Sequence, residues 1–166
     1  MIRYDDFFDQ LEERLKGRGF SVTRKIESGN DHYELFASRP YKPPSNARRT
    51  CYIIATNLDA VNDKTVRDYS KRAFGFGLAN RKPHLPRGLG GGMEFFPVIV
   101  SDDITDELKA WMRKSMPEVH FMDVREFPVL ISPKERKIYY FGCGPPIGWE
   151  MYQGFIKFVE NELGFH

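Results

Sequence analysis

Cys51-Tyr52-Ile53-Ile54-Ala55 is a nearly uninterrupted apolar run. A strand of this kind has no polar face, so it suits the middle of a sheet covered on both sides. The flanking sequence supplies the covering helices. Asn62 or Asp63 can cap a helix reaching about Leu78, with Val66, Tyr69, Ala73 and Phe74 on one stripe. Gly75 and Gly77 weaken its last turn. Residues 95–100 form a second buried strand. Thr105 then caps a helix carrying Leu108, Trp111 and Met112, with Asp106 and Glu107 favourably placed in its first turn.

Upstream of the run, residues 5–16 place Phe8, Leu11 and Leu15 at helical spacing, and Gly17 and Gly19 end that helix. Phe20, Val22, Arg24 and Ile26 read as a strand that stops at the turn cluster Ser28-Gly29-Asn30-Asp31. Residues 32–38 return as its hairpin partner. A loop rich in Pro and Arg follows, from Arg39 to Arg49. Toward the other terminus, residues 119–124 read as a strand or a connection. Residues 127–131 and 137–141 read as a hairpin. Residues 149–163 make a helix with Tyr152, Phe155, Ile156 and Val159 on its apolar face, ended by Gly164. The expected order is α-β-β-β-α-β-α-(β)-β-β-α. It predicts one α/β domain over residues 1–166, a mixed β-sheet with helices on both faces in three layers.

Composition excludes several classes. Hydrophobic content of 41% and aromatic content of 14% argue against disorder. No apolar run approaches the ~18 residues that cross a bilayer, so no membrane association is expected. Met1-Ile2-Arg3-Tyr4-Asp5-Asp6 is acidic and amphipathic, unlike a secretion signal. Cys51 and Cys143 are far apart and make neither a zinc motif nor a disulfide framework. These features predict a reduced, cytoplasmic protein.

The net charge of +2 hides an uneven distribution. Residues 36–92 hold eleven Lys and Arg against three acidic residues, between two acidic flanks. Arg39, Lys42, Arg48 and Arg49 lie in one loop; Arg81, Lys82, His84 and Arg87 lie in another. Lys64, Arg67, Lys71 and Arg72 fall on the helix between them. If the loops share a face they make a positive patch for phosphate oxygens, with Tyr41 and Phe76 as stacking surfaces for bases. The competing reading is a set of solvated side chains neutralised in three dimensions by the acidic flanks.

Other candidates are weaker. Gly88-Leu89-Gly90-Gly91-Gly92 follows a helix and precedes a strand, the reverse of a phosphate loop's context, and reads as a connection. Cys143 lies ahead of a helix, where a thiol can be activated, but Pro145 and Pro146 supply no N–H donors. Asn57, Asp59, Asp102 and Asp103 fall at the carboxyl ends of the buried strands, where α/β sheets bind ligands. Asp102 and Asp103 are the candidate metal residues, for Mg²⁺, with helix capping as the favoured alternative. No cofactor is otherwise expected. The four histidines lack ligand spacing, and no serine sits in a Gly-x-Ser-x-Gly elbow. Tyr139, Tyr140, Phe141, Trp149 and Tyr152 read as core or interface aromatics.

Over residues 5–101 the α-β-β-β-α-β order resembles the core of the PD-(D/E)xK nuclease-like fold. In that family a strand Asp and a following Glu-x-Lys hold a divalent metal and activate water. The matching stretch here, Tyr52-Ile53-Ile54-Ala55-Thr56-Asn57, has no Glu-x-Lys, and Glu34 stands alone on the preceding strand. The resemblance therefore implies a fold without its chemistry. Leu85-Pro86-Arg87-Gly88-Leu89-Gly90 ahead of Phe96-Pro97-Val98-Ile99-Val100, with Pro145-Pro146-Ile147-Gly148-Trp149 later, resembles uncharacterised microbial domain proteins of archaeal type. That likeness spans roughly residues 80–160 and implies no activity.

Three functions are left to separate. The leading expectation is a non-catalytic module binding a polyanion, with nucleic acid as the candidate, through Arg39, Lys42, Arg48, Arg49, Arg81, Lys82 and Arg87. The alternatives are a metal-dependent nuclease-like hydrolase using Asp102, Asp103 and Glu34, and a homo-oligomer built on an aromatic surface.

Overall fold

The computed structural model describes residues 3–41, 49–81, 92–120, 124–144 and 149–165. The chain runs α1 (Tyr4–Gly17), β1 (Ser21–Ser28), β2 (Asp31–Tyr41), β3 (Arg49–Asn57), α2 (Asp63–Ala79), β4 (Gly92–Val100) and α3 (Asp106–Lys114). It continues with β5 (Glu118–His120), β6 (Val124–Glu126), β7 (Val129–Ser132), β8 (Lys137–Tyr140) and α4 (Trp149–Leu163). All eight strands join one mixed sheet in the order β1-β2-β3-β4-β6-β5. The far half of β4 pairs instead with β7, which carries β8.

The apolar run decides this architecture as expected. Cys51, Ile53 and Ala55 face one core, under α1 and α4, with Phe8, Leu11, Phe96, Phe155 and Val159. Tyr52 and Ile54 face the other, under α2 and α3, with Tyr69, Ala73, Phe95, Leu108 and Met112. Every residue from Cys51 to Ala55 is at most 2% exposed. β3 and β4 are parallel, as a strand–helix–strand crossover requires, while β1, β2 and β3 form an antiparallel meander.

Three details differ from expectation. β2 does not stop at Ser38 but continues through Arg39-Pro40 to Tyr41, paired with β3. Its pairing with β1 ends at Ser38, so Pro40 lies beyond β1 with only one neighbouring strand, where a missing N–H is tolerated. Where residues 119–124 read as a strand or a connection, Glu118–His120 and Val124–Glu126 each form a three-residue strand. At α3 the cap is Thr105, whose Oγ1 accepts from Leu108 N at 3.2 Å. The capping expected of Asp102 is not observed: its Oδ1 accepts from Lys134 N at 2.9 Å and closes the β7–β8 turn.

Candidate functional site

The register fixes where the two basic loops attach. Tyr41 at the end of β2 pairs with Arg49 at the start of β3, and Arg49 pairs with Gly92 at the start of β4. The segment after Tyr41 and the segment after Arg81 therefore both rejoin the sheet at the same end, in adjacent positions. Lys42, Arg48, Lys82, His84, Arg87, Gly88, Gly90 and Gly91 lie outside the described residues.

The described cations at this end are engaged with acids. Arg49 Nη1 donates to Glu94 Oε1 at 3.1 Å. Arg39 Nη2 reaches Glu162 Oε1 at 3.3 Å, its Nη1 donates to the carbonyl of Arg18 at 2.8 Å, and its guanidinium lies 4.4 Å from the centre of the Phe20 ring. Glu94 and Glu162 are 5% and 7% exposed, so each is a buried carboxylate compensated by arginine. Between them Cys51 Sγ approaches Glu94 Oε2 at 3.5 Å, and burial followed by that carboxylate pushes the thiol well above its usual range. Such a thiol is protonated and inert. Arg81 Nη1 donates to Leu78 O at 3.1 Å, at the end of α2.

Cations on α2 also have partners, although their side chains stay exposed. Lys64 pairs with Asp68 at 3.1 Å, Arg72 with Asp31 at 3.0 Å, and the Arg67 guanidinium lies 5.0 Å from the Trp111 ring centre. Phe76, proposed as a stacking surface, packs its ring on Tyr33 at 4.6 Å and on Phe36 at 5.3 Å. The Tyr41 side chain lies outside the described residues.

Asp102 and Asp103 follow the opposite end of β4, away from these loops. Glu34 is two strands distant, on β2, and its carboxylate faces His32 and Arg24. Among the described residues no group of three or more His, Cys, Asp or Glu side chains is arranged to hold a metal ion. The aromatic candidates are likewise engaged. Tyr152 hydroxyl donates to Phe141 O at 2.7 Å, Tyr140 hydroxyl to Glu160 at 3.1 Å, and Tyr139 hydroxyl to Glu135. Met116 is the one exposed large hydrophobic side chain among the described residues, at 47%.

Two clusters escaped the sequence reading. Glu118 and Glu126 face each other in the β5–β6 register, and Ser70 hydroxyl donates to Glu126. With Arg67, Lys71 and Phe141 they line a cleft of about 60 Å³. At the β1–β2 hairpin, His32 Nδ1 lies 2.6 Å from Glu27 Oε1 and its Nε2 2.7 Å from Glu34 Oε1. Glu34 first, then Glu27, raise the imidazole's pKa above its ordinary 6.5.

The folded-state pKa of His32 thus exceeds the unfolded one. Its stabilising contribution is complete below pH 6.5 and fades as pH rises through the folded value. The Tm difference between wild type and His32→Gln should therefore shrink as pH rises from about 5 through neutrality, the lower bound being where carboxylates begin to protonate. A difference constant across that window would mean that the imidazole is not charged between the two acids.

Taken together these contacts define an α/β domain with two arginine–carboxylate pairs near the Tyr41–Arg49–Gly92 end of its sheet. Comparison with protein-family models, with curated proteins and with solved structures found no match to this chain. Among the described residues no helix is long and apolar enough to cross a membrane.

Proposed function

We propose that the chain is a non-catalytic binding module that holds a polyanion, with nucleic acid phosphates the favoured partner, at the Tyr41–Arg49–Gly92 end of its sheet. The observation that carries the reading is the register itself, which brings the roots of both basic segments into neighbouring positions. Residues 42–48 and 82–91 contain Lys42, Arg48, Lys82, His84 and Arg87 and not one acidic residue. Arg39 and Arg49, already paired with Glu162 and Glu94, anchor the ends of this region instead of supplying its free charge. A reduced cytoplasmic setting is part of the proposal, consistent with two cysteines that form no disulfide.

The test is binding of a labelled single-stranded oligonucleotide over a salt series. Wild type should bind at low salt, and log affinity should fall with log salt by about 0.7 per phosphate neutralised. Four phosphate contacts give a slope near −3, so replacing Lys42, Arg48, Lys82 and Arg87 together by Gln should weaken binding by roughly 10²-fold or more at 0.1 M salt. Absence of binding by the wild type at low salt, or an unchanged slope in the fourfold variant, overturns the reading.

A further inference from the structure

We infer that the cleft between α2 and the β5–β6 pair binds a small zwitterion of the α-amino-acid type. Its ammonium group meets Glu126 and Glu118, and its carboxylate meets Lys71 and Arg67. The inference does not depend on the polyanion reading.

The cleft follows from the fork in the sheet. β4 pairs with β6 as far as Phe95 and Glu126, and with β7 from Val98 and Val129 onward. Phe127 N still donates to Phe95 O at 2.8 Å. Pro128 has no N–H, so the ladder breaks there and resumes one residue later. Val66 and Ser70 of α2 wall the gap on one side, Pro128 and Phe141 on another, around a volume of about 60 Å³.

Two polar groups are built into positions that packing alone would fill with apolar ones. The buried stripe of α2 runs Val66, Tyr69, Ser70, Ala73 and Gly77, and Ser70 interrupts it with a hydroxyl. β6 ends on Glu126, which is 4% exposed, and the Ser70 hydroxyl donates to its carboxylate. Burying an ionised carboxylate is costly. Glu118 stands directly opposite on β5, a placement that like charges disfavour in an antiparallel pair. Buried polar groups converging on a cleft are the informative departure from an apolar core.

The α2 wall carries the opposite sign. Arg67 and Lys71 are one helical turn apart and both line the cleft. The Arg67 guanidinium rests 5.0 Å from the centre of the Trp111 ring. Lys71 forms no ion pair among the described residues. A simple anion entering here meets two carboxylates, and a simple cation meets two cations. A ligand bearing both charges matches both walls, with Val66, Pro128 and Phe141 left to cover a small apolar side chain. A metal ion is a poorer fit, since no group of three acidic, His or Cys side chains surrounds the cleft among the described residues.

The experiment is an NMR titration of the ¹⁵N-labelled protein with L-alanine, following the amides of Ser70, Lys71 and Phe127. Propionate and ethylammonium serve as probes that keep one charge each. L-Alanine should give saturable shifts with Kd of about 1 mM, within reach of a ligand with so few atoms. Each single-charge probe should bind at least about tenfold more weakly. Glu126→Gln, whose amide oxygen can still accept from Ser70, should weaken L-alanine about tenfold. Lys71→Gln alters an exposed side chain and should weaken it about threefold, because an exposed charge pair contributes less. Shifts that never saturate in wild type overturn the inference. So does unchanged affinity in K71Q or E126Q, or equal binding of propionate or ethylammonium, which would make the cleft a site for one charge alone.

Discussion

Phe96→Ala is expected to lower stability by about 3–5 kcal/mol, the range for deleting a buried aromatic ring whose surroundings cannot collapse. Phe96 sits in the middle of β4 and is fully buried. Its ring stacks on Phe158 at 4.4 Å and meets the edges of Phe155 at 5.8 Å and Phe127 at 6.1 Å. Phe155 and Phe158 belong to α4, and Phe127 joins β6 to β7. One ring thus holds the last helix to the sheet at the point where β4 changes partners. Each aromatic pair contributes about 0.5–1.5 kcal/mol beyond the area it buries. For a chain of this length each kcal/mol moves Tm by about 2–4 °C, so a fall of roughly 6–20 °C is expected in thermal unfolding. The urea m-value should be unchanged. A Tm shift under about 3 °C would show that α4 settles onto the sheet and fills the gap.

The same region shows why some of the structure is legible in sequence. Apolar runs such as Cys51 to Ala55, and stripes such as Phe8, Leu11 and Leu15, announce their elements because burial imposes the pattern directly. The short strands β5 and β6 carry polar residues over three positions each, too few to show an alternation, so Glu118 and Glu126 could not be placed opposite one another. Charge was the least legible property. Arg39 and Arg49 read as loop cations. Their acids, however, lie 123 and 45 residues away, on α4 and β4. A count along the chain sees eleven bases against three acids in residues 36–92, but the fold returns Glu94, Glu162 and Asp31 from outside that block. What survives as a candidate surface is smaller than the sequence suggested. It is the pair of acid-free segments that rejoin the sheet at Arg49 and Gly92.

Gly77→Val should cost about 2–3 kcal/mol, the upper part of the range for adding volume to a packed contact, whereas Gly75→Ala should stabilise by about 0.5–1 kcal/mol. Both glycines lie near the end of α2, and on propensity alone each weakens the helix. Their surroundings decide the opposite signs. A Cβ at Gly75 would meet nothing within 4 Å, so alanine there simply restricts the unfolded chain. A Cβ at Gly77 would fall 2.5 Å from Phe95 Cε1 and 3.2 Å from Ile54 Cδ1. The Phe95 ring has no retreat: it is 1% exposed, stacked on Tyr52 at 5.0 Å and set edge-on to Phe74 at 5.1 Å. The helix must therefore lift from β3 and β4, loosening the contact that makes room for the parallel crossover. The two substitutions serve as controls for each other, since both replace glycine in the same helical segment. If Gly77→Val unfolds at the wild-type temperature, the ring has space to move and the close approach of α2 to the sheet does not depend on a missing side chain.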